Sequence, residues 1–335
     1  MKKVLIFILF ITTSLVGCIR GEDWEDMPSS NFEALWSIID EHYCFFDYKG
    51  KTLGLDWNEV HTRYGNRINK TMNDFQMFEV LSEMLEELKD GHVNLYAAHD
   101  IARNWSWKED FPSNFNDSIH QLYLGKDYMI ASGLYYKILE DNIGYIYCGS
   151  FNSGIGEGNL SLILNKFVNC NGLIIDIRNN GGGNLDNAER FAARFTNQRV
   201  LTGYICHKTG PGHNDFSEMQ EVWLEPSDAL RWQKPVALLT NRSCYSAANS
   251  FVNQMKCCPQ VTVIGDRTGG GSGLPFSSEL PNGWSIRFSA CPMLDAGKQH
   301  TEFGIEPDIY VSMTPEDILD NKDTIIEYAR DFLKK

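Results

Sequence analysis

Two stretches built on one plan constrain this chain more than anything else in it. Gly172-Leu-Ile-Ile-Asp-Ile-Arg-Asn-Asn-Gly-Gly-Gly183 and Pro235-Val-Ala-Leu-Leu-Thr-Asn-Arg-Ser-Cys-Tyr-Ser-Ala-Ala-Asn249 each pass from an apolar run through a turn into an amphipathic segment. The runs Leu173–Ile177 and Val236–Leu239 are short and apolar, as in strands covered on both faces. Beyond the first turn, Leu185, Ala188, Ala192 and Phe195 recur at offsets 0, 3, 7 and 10. Beyond the second, Ala248, Phe251, Val252 and Met255 recur at offsets 0, 3, 4 and 7. Both spacings predict one face of a helix. Strand, turn and helix twice over predict an α/β layer structure with reactive groups at the strand ends. The first turn brings three glycines and the second a serine, Ser246. Backbone N–H donors beside a hydroxyl nucleophile are the parts that acyl transfer needs.

These residues resemble a known family. The run Leu173–Gly183, then Ser246-Ala-Ala, then Gly265-Asp-Arg-Thr-Gly-Gly-Gly271 is similar to the ordered landmarks of the tail-specific, or carboxyl-terminal-processing, serine proteases. That superfamily includes the tricorn core protease and interphotoreceptor retinoid-binding protein. Asn142–Phe151, Leu280–Trp284 and Gly304–Asp308 extend the resemblance, which runs from about Leu88 to Val311. It implies a crotonase-like ββα spiral for the catalytic domain. It also implies a serine-type peptidase acting on peptides or unfolded proteins, with no metal or cofactor.

The chain departs from the lysine-dependent members. Their base is a lysine in a turn of the type Gly-x-x-Thr-x-Gly-Lys; here Gly271 holds that place, and Lys256 and Lys298 match nothing. The tricorn-like branch uses a histidine and a glutamate instead, and Leu88-Lys-Asp-Gly-His92-Val-Asn-Leu95 resembles its histidine segment. A serine hydroxyl is a poor nucleophile until a base takes its proton. His92 in that role predicts an acid limb in log(kcat/KM) at about pH 6 to 7. A carboxylate on the far ring nitrogen would fix the tautomer and stabilise the imidazolium. Glu302 is the candidate, although it lies two positions before Gly304 where the family acid lies three before.

Each assignment has a plainer rival. Taken alone, Ser246 reads as a helix N-cap, His92 as a capping or surface residue, Glu302 as a solvated loop acid, and the glycines as a tight turn. Ser246 is preferred to Ser243 and Ser250 because it alone precedes an Ala-Ala pair. The expected oxyanion donors are the Ala247 N–H and one glycine of the triplet, with Gly182 favoured. Asn249 stands where the family usually carries glutamate. The rival functional readings are a binding protein for hydrophobic ligands or peptides on the same fold, and a scaffold that has lost activity.

Met1-Lys-Lys, the apolar Val4–Phe10 and then Leu15-Val-Gly-Cys18 predict an export signal over residues 1–17, too short to span a membrane. Leu-Val-Gly-Cys resembles the bacterial lipobox. That implies a lipidated Cys18 and a bacterial cell-envelope protein whose acyl chains anchor it to a membrane, with the outer membrane favoured. Residues 18–28 read as an acidic tether. Over 29–125 the pattern is mainly helical and contributes His92. Phe32, Leu35, Trp36, Ile39 and Tyr43 form one stripe, and Phe75, Phe78, Leu81, Leu85 and Leu88 another. Residues 126–335 are assigned to the catalytic domain. Only 51 residues separate His92 from Gly144, too few for a PDZ module between them, and none is expected. Segment 207–232, punctuated by proline and tryptophan, reads as an irregular loop near the cleft. Without residues 1–17 the chain has 28 basic against 44 acidic side chains, a net charge of −16 that argues against nucleic acid as partner. The eight cysteines other than Cys18 show no paired spacing and are expected as buried thiols.

Overall fold

The computed structural model describes residues 26–334. Cys18, the signal segment and most of the tether lie outside the described residues. A central sheet has seven strands in the order Ile309–Tyr310, Val261–Gly265, Val236–Thr240, Leu173–Asp176, Gly144–Cys148, Leu134–Ile138 and Met129–Ala131. The first five are parallel and the last two join antiparallel. Every residue of Leu173–Asp176 and Val236–Thr240 is buried, so these strands read as continuous apolar runs rather than alternations. Leu173, Ile175, Val236 and Leu238 face the helices Leu185–Ala192 and Ala247–Lys256. Ile174, Ala237 and Leu239 face the helix Thr324–Leu333, through Ile325, Ile326 and Ala329. The buried exception is Asp176, which is neutralised by Arg178 at 2.7 Å; Arg178 also reaches Asp323 at 3.0 Å.

A second, antiparallel sheet runs Ile101–Arg103, Asn94–Tyr96, Ser285–Asp295, Val200–Ile205 and Gln220–Leu224, with Gly273–Glu279 also paired to Ser285–Asp295. The strand Gln220–Leu224 corrects the reading of 207–232 as an irregular loop near the cleft. Only Leu224 in it is fully buried, so the sequence lacks the alternation that marks a strand. No residue of 207–232 lines the cavities beside Ser246.

The helices Pro28–His42, Phe46–Leu53, Trp57–Gly65 and Asp74–Glu86 form the N-terminal layer. Both predicted stripes are buried for the most part, but Phe75 is exposed and packs against His99 with ring centroids 4.4 Å apart. The core of this layer is shared with Leu280, Trp284, Ile286 and Phe288, which lie far along the chain. The eight described cysteines are unbridged, and all but Cys257 are buried. No helix among the described residues is long and apolar enough to cross a membrane.

Candidate active site

Leu173–Asp176 and Val236–Thr240 are adjacent parallel strands, so the turns that follow them open at the same end of the sheet. Asn179 N–H donates to Asn241 Oδ1 at 3.0 Å and Asn241 Nδ2 returns a bond to Asn179 Oδ1 at 2.8 Å, clasping the two turns together. Tyr245 N–H donates to Asn180 O at 3.0 Å, and Ser246 N–H to Gly270 O at 2.9 Å. The serine turn is therefore held from both sides. Ser246 itself has φ 57° and ψ −120°, a conformation that costs a side-chain-bearing residue about 1–3 kcal/mol. Strain of this kind aims a nucleophile out of a strand-to-helix turn. Its side chain makes no cap bond to the helix it precedes.

The hydroxyl meets His92 instead. Nε2 lies 3.0 Å from Ser246 Oγ, although the residues are 154 positions apart. His92 is buried and follows the helix Asp74–Glu86 directly before the strand Asn94–Tyr96. Asp90 Oδ1 accepts its main-chain N–H at 2.8 Å, and the Tyr245 ring lies edge-on at 5.0 Å. Burial pushes the imidazole down to about 4; the Asp90 charge opposes this, while Arg287 and Lys49 add to it. The Gly273 carbonyl approaches closely enough to favour the protonated ring without reaching hydrogen-bond geometry at Nδ1.

Glu302 does not sit on that far nitrogen, which corrects the expectation for the third member. Its Oε2 accepts Ser272 N–H at 2.9 Å and its Oε1 accepts Lys49 Nζ at 3.1 Å. Lys49 is fully buried, also donates to Leu88 O at 2.8 Å, and lies 3.7 Å from Asp90 Oδ2. Tyr43 and Ser289 hydroxyls donate to that same oxygen, each at 2.9 Å. One cation and two carboxylates leave a buried cluster one charge out of balance, so one acid keeps its proton. Burial, and after it the Asp90 charge, lifts Glu302 to about 8 against the pull of Lys49. Burial alone would raise Asp90 too, but Lys49, His92 and its hydrogen-bond donors hold it below the usual carboxylate value. Asp90 is the ionised acid beside His92.

Among the described residues Ala247 N–H, at the N-terminus of its helix, donates no hydrogen bond. Gly182 does not supply the second donor as expected, because its N–H is given to Asn180 Oδ1 at 2.9 Å. Its contribution is space: a Cβ there would lie 2.7 Å from Tyr245 O and 2.8 Å from Ser246 Cβ. Among the described residues Gly183 N–H makes no hydrogen bond, and Gly183 lines the same cavities as Ser246. The described residues hold no cluster of three or more His, Cys, Asp or Glu side chains arranged for a metal.

A strained serine bonded to a buried histidine, beside a glycine turn with an unused N–H, is equipped for acyl transfer. The sequence profile of peptidase family S41 matches residues 142–311, about half of the chain, and that of the tricorn protease C1 domain matches residues 22–86. The chain belongs to peptidase family S41. The crystal structure of a candidate peptidase from Parabacteroides merdae is 55% identical, with TM-score 0.89, covering 93% of this chain and 98% of that one. Mature CPAF in complex with lactacystin superposes with TM-score 0.68 at 12% identity, over 92% of this chain and 97% of that one, a likeness of fold. The tricorn protease of Thermoplasma acidophilum is 28% identical over 197 residues, 57% of this chain but 16% of that protein.

Two departures of this S41 sequence have physical causes. At Gly271, where lysine-dependent members carry their base, φ is 76° and a Cβ would enter the Tyr245 ring. That ring stacks on Trp107 at 4.2 Å and on the catalytic side packs against His92. Asn249, in the family's glutamate position, is buried; its Nδ2 donates to Thr301 O at 3.1 Å and its Oδ1 accepts from Thr268 Oγ1 at 2.6 Å. It fastens the serine helix to the segment that carries Glu302. Sequence reasoning missed Lys49, Tyr43 and Ser289. A lysine set among Phe45, Phe46 and Tyr48 was the available signal for the first.

Proposed function

We propose that this S41 chain is a serine peptidase that works through an acyl-enzyme on Ser246, with His92 as general base. The observation that carries the reading is the 3.0 Å approach of His92 Nε2 to a serine hydroxyl that makes no cap bond. Oγ attacks the substrate carbonyl carbon as its proton passes to Nε2, and the resulting oxyanion is held by the N–H groups of Ala247 and Gly183. Asp90 steadies the imidazolium through space. His92 then gives the proton to the leaving amine, and a water activated by the same nitrogen releases the acid. Glu302, still protonated, braces Lys49 rather than the imidazole. Cavities of about 780 and 340 Å3 flank Ser246, room for substrate residues on each side of the scissile bond. Ser246→Ala removes one hydroxyl, so it should fold normally yet lose both turnover and labelling by a serine-directed phosphonate. Labelling that persists, or moves to Ser243, sinks the assignment.

We also propose a mature chain that begins at a lipidated Cys18 in a bacterial cell envelope. Its support is the order of basic residues, short apolar run and Leu15-Val-Gly-Cys18. Cys18→Ala should release the protein from the membrane fraction or leave the precursor unprocessed. Mass spectrometry showing a different mature N-terminus contradicts this.

A further inference from the structure

The space around Ser246 carries charge of one sign. The larger cavity is lined by Arg103, Lys108 and Arg287, and the smaller by Arg287, with no carboxylate in either lining. This is on a chain of net charge −14, where acids outnumber bases 44 to 30. The groove beyond Arg103 has the opposite character, lined by Glu79, Glu83, Glu86 and Asp100. Positive charge is thus concentrated at the serine.

Arg287 has the decisive place. It shares both cavities with Ser246 and Gly183, and its strand pairs it with Asn94, two residues after His92. Among the described residues neither it nor Arg103 nor Lys108 makes an ion pair. Arg103 and Lys108 rest on aromatic rings, with Lys108 Nζ 4.4 Å from the Trp105 centroid, whereas Arg287 has no such support. Arg287 is partly exposed and its side chain makes no hydrogen bond among the described residues, so its guanidinium is open to an anion that enters either cavity. Its planar fork of N–H donors matches a carboxylate in bidentate geometry.

We propose that the cleft selects substrates bearing a carboxylate close to the scissile bond, with Arg287 as the specificity-determining residue that binds it. The proposal rests on the peptidase reading and names its substrate class. Because cavities continue on both sides of Ser246 and Arg287 lines each, the carboxylate is that of an aspartate or glutamate side chain within the peptide. Leu185, Leu274, Pro275 and Met293 in the smaller cavity accept an apolar residue next to it.

The test uses fluorogenic peptides of one sequence, with Glu or Gln at each of two positions on either side of the cleaved bond. Each is made as a C-terminal acid and as an amide. An acidic member should exceed its neutral counterpart about tenfold in kcat/KM, mainly through KM, since one charge-assisted pair is at stake. Arg287→Gln should reduce that ratio to within about twofold, and added salt should weaken it. A ratio that follows glutamate supports the proposal; one that follows only the free acid overturns it. Binding of the same peptides to Ser246→Ala protein, read by fluorescence anisotropy, gives the ratio without turnover. Failure of wild-type protein to cut any peptide would thus sink the peptidase reading while the binding ratio still decides selection. Equal binding of acidic and neutral peptides, or a preference that survives Arg287→Gln, overturns the proposal.

Discussion

Histidine bases are ordinarily expected to lose activity between about pH 6 and 7. His92 sits too deep for that. Charging it in a buried site costs solvation that Asp90 only partly restores, and its pKa falls to about 4. The base must be neutral to accept the serine proton, so a lowered value carries activity further into acid. We expect log(kcat/KM) to stay flat from neutrality to about pH 5 and to fall with unit slope below about 4. A midpoint at 6 to 7 in the wild-type profile contradicts the described environment. His92→Ala should cost several orders of magnitude in kcat/KM, because serine and base act as a unit. Glu302→Gln should cost less than about tenfold, since glutamine resembles the protonated acid that Glu302 remains below about 8. Loss on the scale of His92→Ala would restore Glu302 as the charged partner.

At the scale of elements, the turn Gly265–Gly271 shows why one family position cannot be exchanged alone. Gly271→Lys restores the residue of the lysine-dependent members in sequence, but places a side chain at φ 76° against the Tyr245 ring. It should lower activity and thermal stability together, and measuring kcat/KM beside Tm checks this. A variant active at wild-type level, or active without His92, would mean the turn can accept a lysine base. The two strand-turn-helix units were legible because burial on both faces leaves apolar runs and helices leave a 3.6-residue period. The edge strand Gln220–Leu224 leaves neither, and is defined only by its antiparallel pairing with Val200–Ile205. Phe75 fitted the stripe by spacing and is exposed nonetheless, since a period reports direction around a helix and not whether a neighbour lies there.

At the scale of the molecule, the boundary at residue 125 divides a shared core. Leu280, Trp284, Ile286 and Phe288 pack among the N-terminal helices, and Asn94–Tyr96 pairs with Ser285–Arg287 in one sheet. Residues 126–335 expressed alone should therefore expose that apolar strand face, bind a hydrophobic dye and fail to melt cooperatively. A soluble fragment with a sharp transition would show that the C-terminal part folds independently. The sequence alone determined the paired units and the α/β class, and singled out Ser246 and His92 as the proposed nucleophile and base. These depend on local periodicity and on short ordered motifs, which a linear chain displays. Only the tertiary structure decided that Asp90 holds the charge, that Lys49 separates it from Glu302, and that Gly182 N–H is already taken. Hydrogen bonds and buried charges depend on tenths of an ångström between segments as far apart as Lys49 and Glu302, and those distances exist only once the chain has folded.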